Sequence, residues 1–312
     1  MNALAPEIEL QRPAVARSSR PGALSRAAGN WSVRMGATTL VLLALASWCA
    51  PWLTSADPTL LDPANRDLLP GTMGLLTLSS GETVPHLFRL GTDSYGRDIF
   101  SRILYGGRVS LVVGVAVAML SLGAGLALGL FAGYLRGVDL VLMRVMDGLM
   151  AIPGILLAVS LVALWRASIW TVIIALTIPE VPRVVRLVRS LVLSIREEPY
   201  VEAAVAVGTS TVNLLVRHVL PNTLAPLIVQ GSYVCAAAIL GEAILGFLGV
   251  GIPPEVATWG NLMAEGRVQF NQYPHAVFFP GIFLTVAVLA VNLLGDGLRD
   301  TLDPRFSRRG WQ

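Results

Sequence analysis

The chain has 312 residues, of which 54% are hydrophobic and 14% are charged, with a formal net charge of +3. Soluble globular proteins carry about 25% charged residues, so this composition and a mean hydropathy of +0.66 exclude an ordinary soluble domain and indicate a protein of the lipid bilayer. All 23 basic residues are arginines, which excludes a P-loop ATP site in this chain because that site needs a lysine to reach the terminal phosphates.

The amino-terminal part of the chain predicts a polar tail followed by a membrane helix. Residues 1–34 contain five arginines and little apolar periodicity, so we expect a cytoplasmic tail there. The uncharged run 35–53 has about the length that a membrane helix needs. A cleaved signal peptide is the alternative, but the polar segment is too long for one and Pro51 follows the only small-residue cleavage position. We therefore expect a retained first transmembrane helix.

Five further uncharged stretches predict five more membrane helices. A span needs about 20 apolar residues, and only the run 167–179 is too short by itself. It continues with apolar spacing to Val192, so its helix should extend past the membrane surface, with Arg183, Arg186 and Arg189 along one side. The other four runs are 109–135, 148–165, 219–241 and 276–295.

The distribution of arginine orients these six spans. With the amino terminus inside, 16 arginines fall on inside segments and 7 on outside segments. Positively charged residues accumulate on the cytoplasmic side. We therefore expect a multi-pass membrane protein with both termini in the cytoplasm, and with the connection between the fourth and fifth spans on the side where ATP is found.

The predicted outer segment, residues 54–107, combines a loop-rich layer with one helix. Proline and glycine are frequent in its first part. Its last part has an apolar stripe beside polar positions, which favours an amphipathic helix lying at the membrane interface. Its charges are expected either to satisfy each other in a surface turn or to contact a binding protein. The stripe is Ile99, Phe100, Ile103 and Leu104, and the polar positions are Arg97, Asp98 and Arg102.

Residues 197–222 are a polar, helix-forming insert between apolar runs. Pro199 suits a first helical turn, where its missing N–H is not needed, and Gly208 should end the helix. The spacing i, i+3, i+4, i+7 places four apolar or small side chains on one face: Tyr200, Ala203, Ala204 and Val207.

A second short helix should follow in the same insert. Thr209 or Ser210 can cap its start, further apolar residues give it an apolar face, and Pro221 should close it before the fifth span. A helix pair of this kind, with small residues on one side and Arg217 on the other, suits docking into a groove of another protein. The alternative is an ordinary connection between two spans.

The spacing Glu202-Ala203-Ala204, then Gly208, then His-Val-Leu-Pro ending at Pro221 resembles the EAA loop of ABC importer permeases. The agreement is with the dipeptide, oligopeptide and nickel branch, and specifically with the second permease of the pair. Further segments carry the same resemblance, so that it runs from Leu90 to Phe306: GTDSYGRD, YGGRVSL, GIPPEVATWGNLMAEGR and GDGLRDTLDPRF.

This resemblance implies an all-α integral membrane protein with six transmembrane helices and the type I ABC importer permease fold. The permease core would cover residues 108–306 and be followed by a cytoplasmic tail over 307–312. The implied ATPase-coupling residues lie on cytoplasmic coupling helices within 197–222, where small residues allow close docking, glycine permits a bend and proline fixes the re-entry into the membrane. They are Glu202, Ala203, Ala204, Gly208, Arg217 and Pro221.

The same resemblance implies the partners and the function. The chain would form half of a translocation path in the bacterial inner membrane, together with a second homologous permease, two ABC ATPase subunits and an external substrate-binding protein. It would contact membrane lipid and no nucleic acid. ATP and Mg²⁺ would be used by the partner ATPases, so this chain would bind no cofactor and would not itself be an enzyme. Dipeptides or oligopeptides are the expected substrates, with glutathione and nickel chelates as alternatives.

Two features of the predicted spans bear on the path. Gly125, Gly129 and Gly133 are four residues apart, which predicts close helix packing. Glu242 is the one acid deep in an apolar run, where a charge costs about 2.5–3.5 kcal/mol on insertion scales. It should face the protein interior or a watery cavity, either as part of the translocation path or in a hydrogen bond near the interface.

Other functions find less support in the sequence. A secondary transporter driven by an ion gradient would need paired ionisable groups at midmembrane or inverted repeats, and an intramembrane enzyme would need a motif such as HExxH or GxSxG. None of these patterns is present. The two cysteines and three histidines are scattered, so we expect no metal site and no disulfide framework.

Overall fold

The computed structural model describes residues 28–78 and 81–302. Most of these residues are helical. The predicted tails over 1–34 and 307–312 lie outside the described residues except for 28–34. The helices are α1 (Trp31–Trp48), α2 (Ala50–Leu53), α3 (Ile99–Tyr134), α4 (Arg136–Met150), α5 (Gly154–Leu164), α6 (Ile169–Arg196), α7 (Pro199–Ala206), α8 (Thr211–Leu214), α9 (Leu220–Phe247), α10 (Trp259–Gly266) and α11 (His275–Leu302).

Helices occupy all six stretches for which spans are predicted. In the described part of the chain, three are long and apolar enough to cross a membrane: α3, α11 and the continuous helix Thr211–Phe247 that contains α9. The pair α4 and α5 would be a fourth if it is taken as one span. Helices α1 and α6 stand at the two remaining predicted positions.

The third predicted span, over 148–165, is not straight as expected. The chain bends by 87° between α4 and α5, and α5 has 11 residues, which is about half the length that crosses a bilayer. Pro153 stands at the break and has no N–H to continue the helix. By contrast, Pro179, Pro182, Pro226 and Pro280 lie inside continuous helices.

Close packing joins α3 to α6, and it confirms the role predicted for the three spaced glycines. A Cβ on Gly125, Gly129 or Gly133 would lie 2.4–2.6 Å from side-chain atoms of α6. The facing residues, Val184, Val188 and Val192, are buried and also recur every fourth position. The two backbones therefore approach as closely as small-residue seams allow.

One end of the bundle carries a β-hairpin that the loop-rich interpretation of this segment did not include. Strands β1 (Thr72–Thr77) and β2 (Thr83–Phe88) pair antiparallel. Alternation along the strands places Leu76 and Phe88 in a small core with Ala56, which is the usual pattern of a half-buried ribbon. We call this end the hairpin end, and the end that carries residues 197–222 the loop end.

The prediction that a helix near residue 99 lies at the membrane interface is also wrong. Ile99 begins the 36-residue helix α3, whose first turns are buried in the protein rather than lying on a membrane surface. Asp98 caps this helix by accepting a hydrogen bond from the Ser101 N–H at 3.0 Å. At about 1.5 Å per residue, α3 is about 54 Å long and reaches from the hairpin end to the loop end.

Candidate coupling site

Helix α7 begins and ends where the sequence predicts. Pro199 is in its first turn, and Gly208 follows its end with φ of +85°. The Thr209 N–H donates to the Ala204 carbonyl at 3.0 Å, and the Gly208 N–H donates to the Val205 carbonyl at 2.9 Å. These two bonds with a glycine in the left-handed region form a Schellman motif. Gly208 is therefore needed for its backbone conformation.

The second helix of the insert differs from the prediction at its end. Ser210 is the residue before α8, but its side chain makes no capping bond. From Leu215 to Val219 the chain continues as one turn of π-helix and then directly as α9. Pro221 does not close the helix, because it lies in the first turn of α9, where proline is tolerated. The insert thus passes into the membrane helix without a break.

The loop end exposes apolar side chains on α7 and α8. Val201 and Leu214 are buried and attach the two helices to the bundle. Val207 is 87% exposed and Val212 is 69% exposed, and further apolar side chains nearby are exposed as well: Tyr200, Val205 and Val216. Ala203 is exposed and Ala204 is partly buried. An apolar surface in this position is typical of an interaction site.

Two predicted site residues carry charges without internal partners. Glu202 and Arg217 are exposed, and neither side chain makes a hydrogen bond or ion pair with the rest of the described chain. Glu202 borders a cavity of about 320 Å³ whose lining includes Arg136, Arg196 and Asp139. Both charges are therefore available to a partner.

Contacts at the base of the insert connect it to the long helices. The Arg196 guanidinium donates to the Gly133 carbonyl at 3.0 Å and lies 5.2 Å above the Tyr134 ring. The Thr211 hydroxyl donates to the Tyr134 hydroxyl at 3.3 Å, and the Asn222 amide donates to the Tyr200 hydroxyl at 3.2 Å. These contacts join α8 to α3, α7 to α9, and the end of α6 to α3.

Two arginines of α6 form ion pairs with acids of α4 toward the loop end. Arg189 forms two bonds with Asp139 of α4, one of 2.7 Å from Nη2 to Oδ2, and Arg186 pairs with Asp147 at 2.6 Å. Asp147 therefore pairs across helices, from α4 to α6. These ion pairs hold α4 against the extension of α6.

The charges expected in a surface turn form a buried network at the hairpin end. Arg97 Nε contacts Asp93 Oδ2 at 2.8 Å and Arg97 Nη2 contacts Glu265 Oε2 at 2.6 Å. Arg102 is only 1% exposed; it donates to Asp93 at 2.7 Å and also pairs with Glu265. Burial raises the pKa of the neighbouring Asp98 carboxyl, and the hydrogen bond from the Ser101 N–H lowers that pKa by a smaller amount. The network ties the start of α3 to α10.

Glu242, the residue proposed for the translocation path, is 1% exposed. Its Oε2 accepts a hydrogen bond from the Ser110 hydroxyl at 2.8 Å, and its Oε1 has no hydrogen-bond partner among the described residues. Glu242 faces the protein interior between α3 and α9, as the cost of a membrane charge requires. It lines none of four cavities in the described part of the chain, which have volumes of about 320, 370, 430 and 690 Å³.

Sequence reasoning missed several residues of the coupling site. Tyr134 and Arg196 lie outside the 197–222 insert on two different helices, and nothing in the local sequence indicates that they meet. Asp139 was overlooked although an acid opposite a regular arginine spacing is a usable signal. Tyr200 was assigned to the docking face, whereas its hydroxyl also accepts a bond from Asn222.

The long apolar helices define an α-helical membrane protein, and the helix pair α7 and α8 is exposed at one end of its bundle. The comparisons agree, since residues 125–308 match the model of the family described as binding-protein-dependent transport system inner membrane component. The chain belongs to this family, whose members are permease components of ABC importers that work with ATPase and binding-protein partners.

Relatives cover nearly the whole chain. A protein of Brucella abortus biovar 1, provisionally described as a peptide transport system permease protein, is 42% identical over 310 residues, which is 99% of this chain and 100% of the relative. A dipeptide transport system permease protein of Alkalihalophilus pseudofirmus is 41% identical over 270 residues, covering 86% of this chain and 83% of the relative.

Solved structures support the fold. A chain of the MetNI methionine ABC transporter in an inward-facing conformation aligns with a TM-score of 0.50 at 19% identity, covering 64% of this chain and 95% of that chain. At this identity the likeness concerns the fold alone, and the described helices therefore have the type I importer permease architecture.

Proposed function

We propose that this chain forms half of the translocation path of an ATP-driven importer of short peptides and that ATPase subunits dock on α7 and α8. The observation that carries this proposal is the loop end itself. The helix pair, whose connection depends on Gly208, exposes apolar side chains, and Glu202 and Arg217 have no partner among the described residues. Apolar area supplies affinity and unpaired charges supply specificity at such an interface.

The connection to the bundle supports a mechanical role. The helix Thr211–Phe247 is unbroken, and at about 1.5 Å per residue its 37 residues form a rod of about 55 Å. Displacement of Val212 would therefore tilt the whole of α9. At its other side, α7 follows α6 after two residues, and α6 is locked to α3 by the glycine seam. A partner that pulls on the helix pair would move three long helices together.

The proposal includes the orientation and the composition of the transporter. The loop end faces the cytoplasm, where ATP is available, and the hairpin end faces the external binding protein. A second homologous permease completes the path, and two ATPase subunits bind ATP and Mg²⁺ on the proposed importer's cytoplasmic side. We propose peptides as the substrate class because relatives that align over nearly their full length have names that describe peptide transport. Glutathione and nickel chelates are the alternative substrates.

A pair of matched substitutions tests the docking surface. Val212→Asp places a charge on the exposed apolar face, and Val268→Asp makes the same change at an 82% exposed valine of the hairpin end. In proteoliposomes of the complete transporter, we expect Val212→Asp to reduce ATP-dependent dipeptide uptake and ATPase association by at least tenfold, with Val268→Asp retaining ATPase association. Equal association in the two variants would contradict the proposal.

A further inference from the structure

An apolar groove of about 430 Å³ opens between α1 and α3 toward the hairpin end. Its floor comes from α9 and α11. None of its ten lining residues is charged, and Trp48, Val112 and Val115 are each about half exposed. The lining consists of Leu40, Ala44, Trp48, Leu111, Val112, Val115, Ala116, Cys235, Ile239 and Val291.

An arginine stands at the top of this groove. Arg108 lies three and four residues before Leu111 and Val112 on α3, which places it on the same helical face one turn away. Its Nε donates to the Ser47 carbonyl at 2.6 Å and its Nη2 donates to the Trp48 carbonyl at 2.9 Å. A guanidinium has five N–H donors, so three remain. No carboxylate lies within 4 Å of Arg108 in the described part of the chain.

The depth of the groove fits one leaflet of a bilayer. From Arg108 to Ala116 the helix rises about 12 Å, and the hydrocarbon of one leaflet is about 15 Å thick. Trp48 borders the groove, and Trp52 in the next turn is exposed. Tryptophan prefers the headgroup level of a membrane. The Arg108 guanidinium is thus placed at headgroup depth and the apolar groove at acyl-chain depth.

We propose that this groove binds one phospholipid, with an acyl chain along α3 and the phosphate on Arg108. Charge complementarity selects this occupant, because an apolar helix of another subunit would leave the remaining Arg108 donors without acceptors, whereas a phosphate satisfies them. Arginine suits this contact, because its planar guanidinium matches the geometry of the phosphate oxygens. None of the residues that line the groove belongs to the candidate coupling site.

Native mass spectrometry of the complete purified transporter tests the site, with added phosphatidylglycerol as the probe. Ala116→Phe fills the groove and leaves Arg108 in place. The matched control is Val286→Phe, which alters a different apolar groove of about 370 Å³ between α10 and α11. We expect one retained phosphatidylglycerol per copy of the chain in the wild type and the control, and its loss in Ala116→Phe.

Arg108→Gln tests the headgroup contact separately, because glutamine can still donate to a carbonyl of α1 but has no charge. We expect about fivefold less retained phosphatidylglycerol, which is the effect of one basic residue near a membrane surface. Diacylglycerol, which lacks the phosphate, should be retained less than phosphatidylglycerol, and inorganic phosphate should not displace the lipid. Equal retention in wild type and Ala116→Phe would overturn the proposal. So would equal retention of diacylglycerol, or cross-links from a photoreactive residue at position 112 to the second permease instead of lipid.

Discussion

Substitution of Gly208 provides a sharp test of the coupling site, because the structure separates backbone strain from crowding. The φ of Gly208 is +85°, and no heavy atom would lie within 4 Å of an added Cβ. A side chain here therefore meets open space, and only the left-handed conformation opposes it. That conformation costs about 1–2 kcal/mol for an ordinary L-residue.

Gly249 provides the matched control. It has φ of +77° and equally open surroundings, and it ends α9 with the same pair of hydrogen bonds, Val250 to Leu245 at 3.1 Å and Gly249 to Gly246 at 2.9 Å. Gly208→Val and Gly249→Val therefore impose the same strain at opposite ends of the bundle. Gly208→Asn should be tolerated better than valine, because asparagine is several-fold enriched in this conformation.

The assay compares ATPase association and dipeptide uptake per ATP hydrolysed in proteoliposomes of the complete transporter. A penalty of about 1–2 kcal/mol lowers the population of the docking conformation by about 5–30-fold, so Gly208→Val should weaken ATPase association by that factor with normal membrane insertion. Gly208→Asn should be intermediate, and Gly249→Val should keep wild-type association. If both valine variants lose association equally, or if neither does, the role assigned to Gly208 is refuted.

Three further substitutions probe the bundle. Gly129→Ala should destabilise the contact between α3 and α6 by about 1–3 kcal/mol through overpacking, which lowers the Tm in detergent. The control is Gly123→Ala, whose added Cβ would have no atom within 4 Å and which should not lower the Tm. Similar Tm values for the two variants would argue against a tight contact. Arg102→Met leaves Glu265 with one fewer buried partner and should destabilise the protein by about 3–5 kcal/mol, measured as loss of folded yield; a wild-type folded yield would contradict a stabilising role for the network. Glu242→Gln keeps its acceptor for the serine of α3 and should leave uptake unchanged; reduced uptake with a normal folded yield would return Glu242 to the path.

Local signals in the sequence predict much of the fold. Apolar runs of about 20 residues identify the spans, because a helix needs that length to cross the hydrocarbon of a bilayer. Pro199 and Gly208 bound α7 correctly, since each has a conformational preference that acts within a few residues. The spacing of Gly125, Gly129 and Gly133 predicts a close helix contact, although it does not identify α6 as the partner.

The remaining features depend on contacts between distant residues. Pro153 marks a break, but the 87° angle between α4 and α5 comes from packing of both helices against α6. The amphipathic stripe at Ile99 has the period of an interfacial helix, yet Arg102 is buried because Asp93 and Glu265 neutralise it. Such pairing over 163 residues leaves no local trace in a single sequence.

Cross-linking at the loop end tests the central claim most directly. In a chain with both native cysteines replaced, Val207→Cys and Val268→Cys place single thiols at the two ends of the bundle, and a short thiol-specific cross-linker is applied to the complete transporter with and without ATP. The account predicts that position 207 cross-links to an ATPase subunit, with a yield that changes on ATP binding, and that position 268 does not. Cross-linking of an ATPase subunit to position 268, or to neither position, would contradict it.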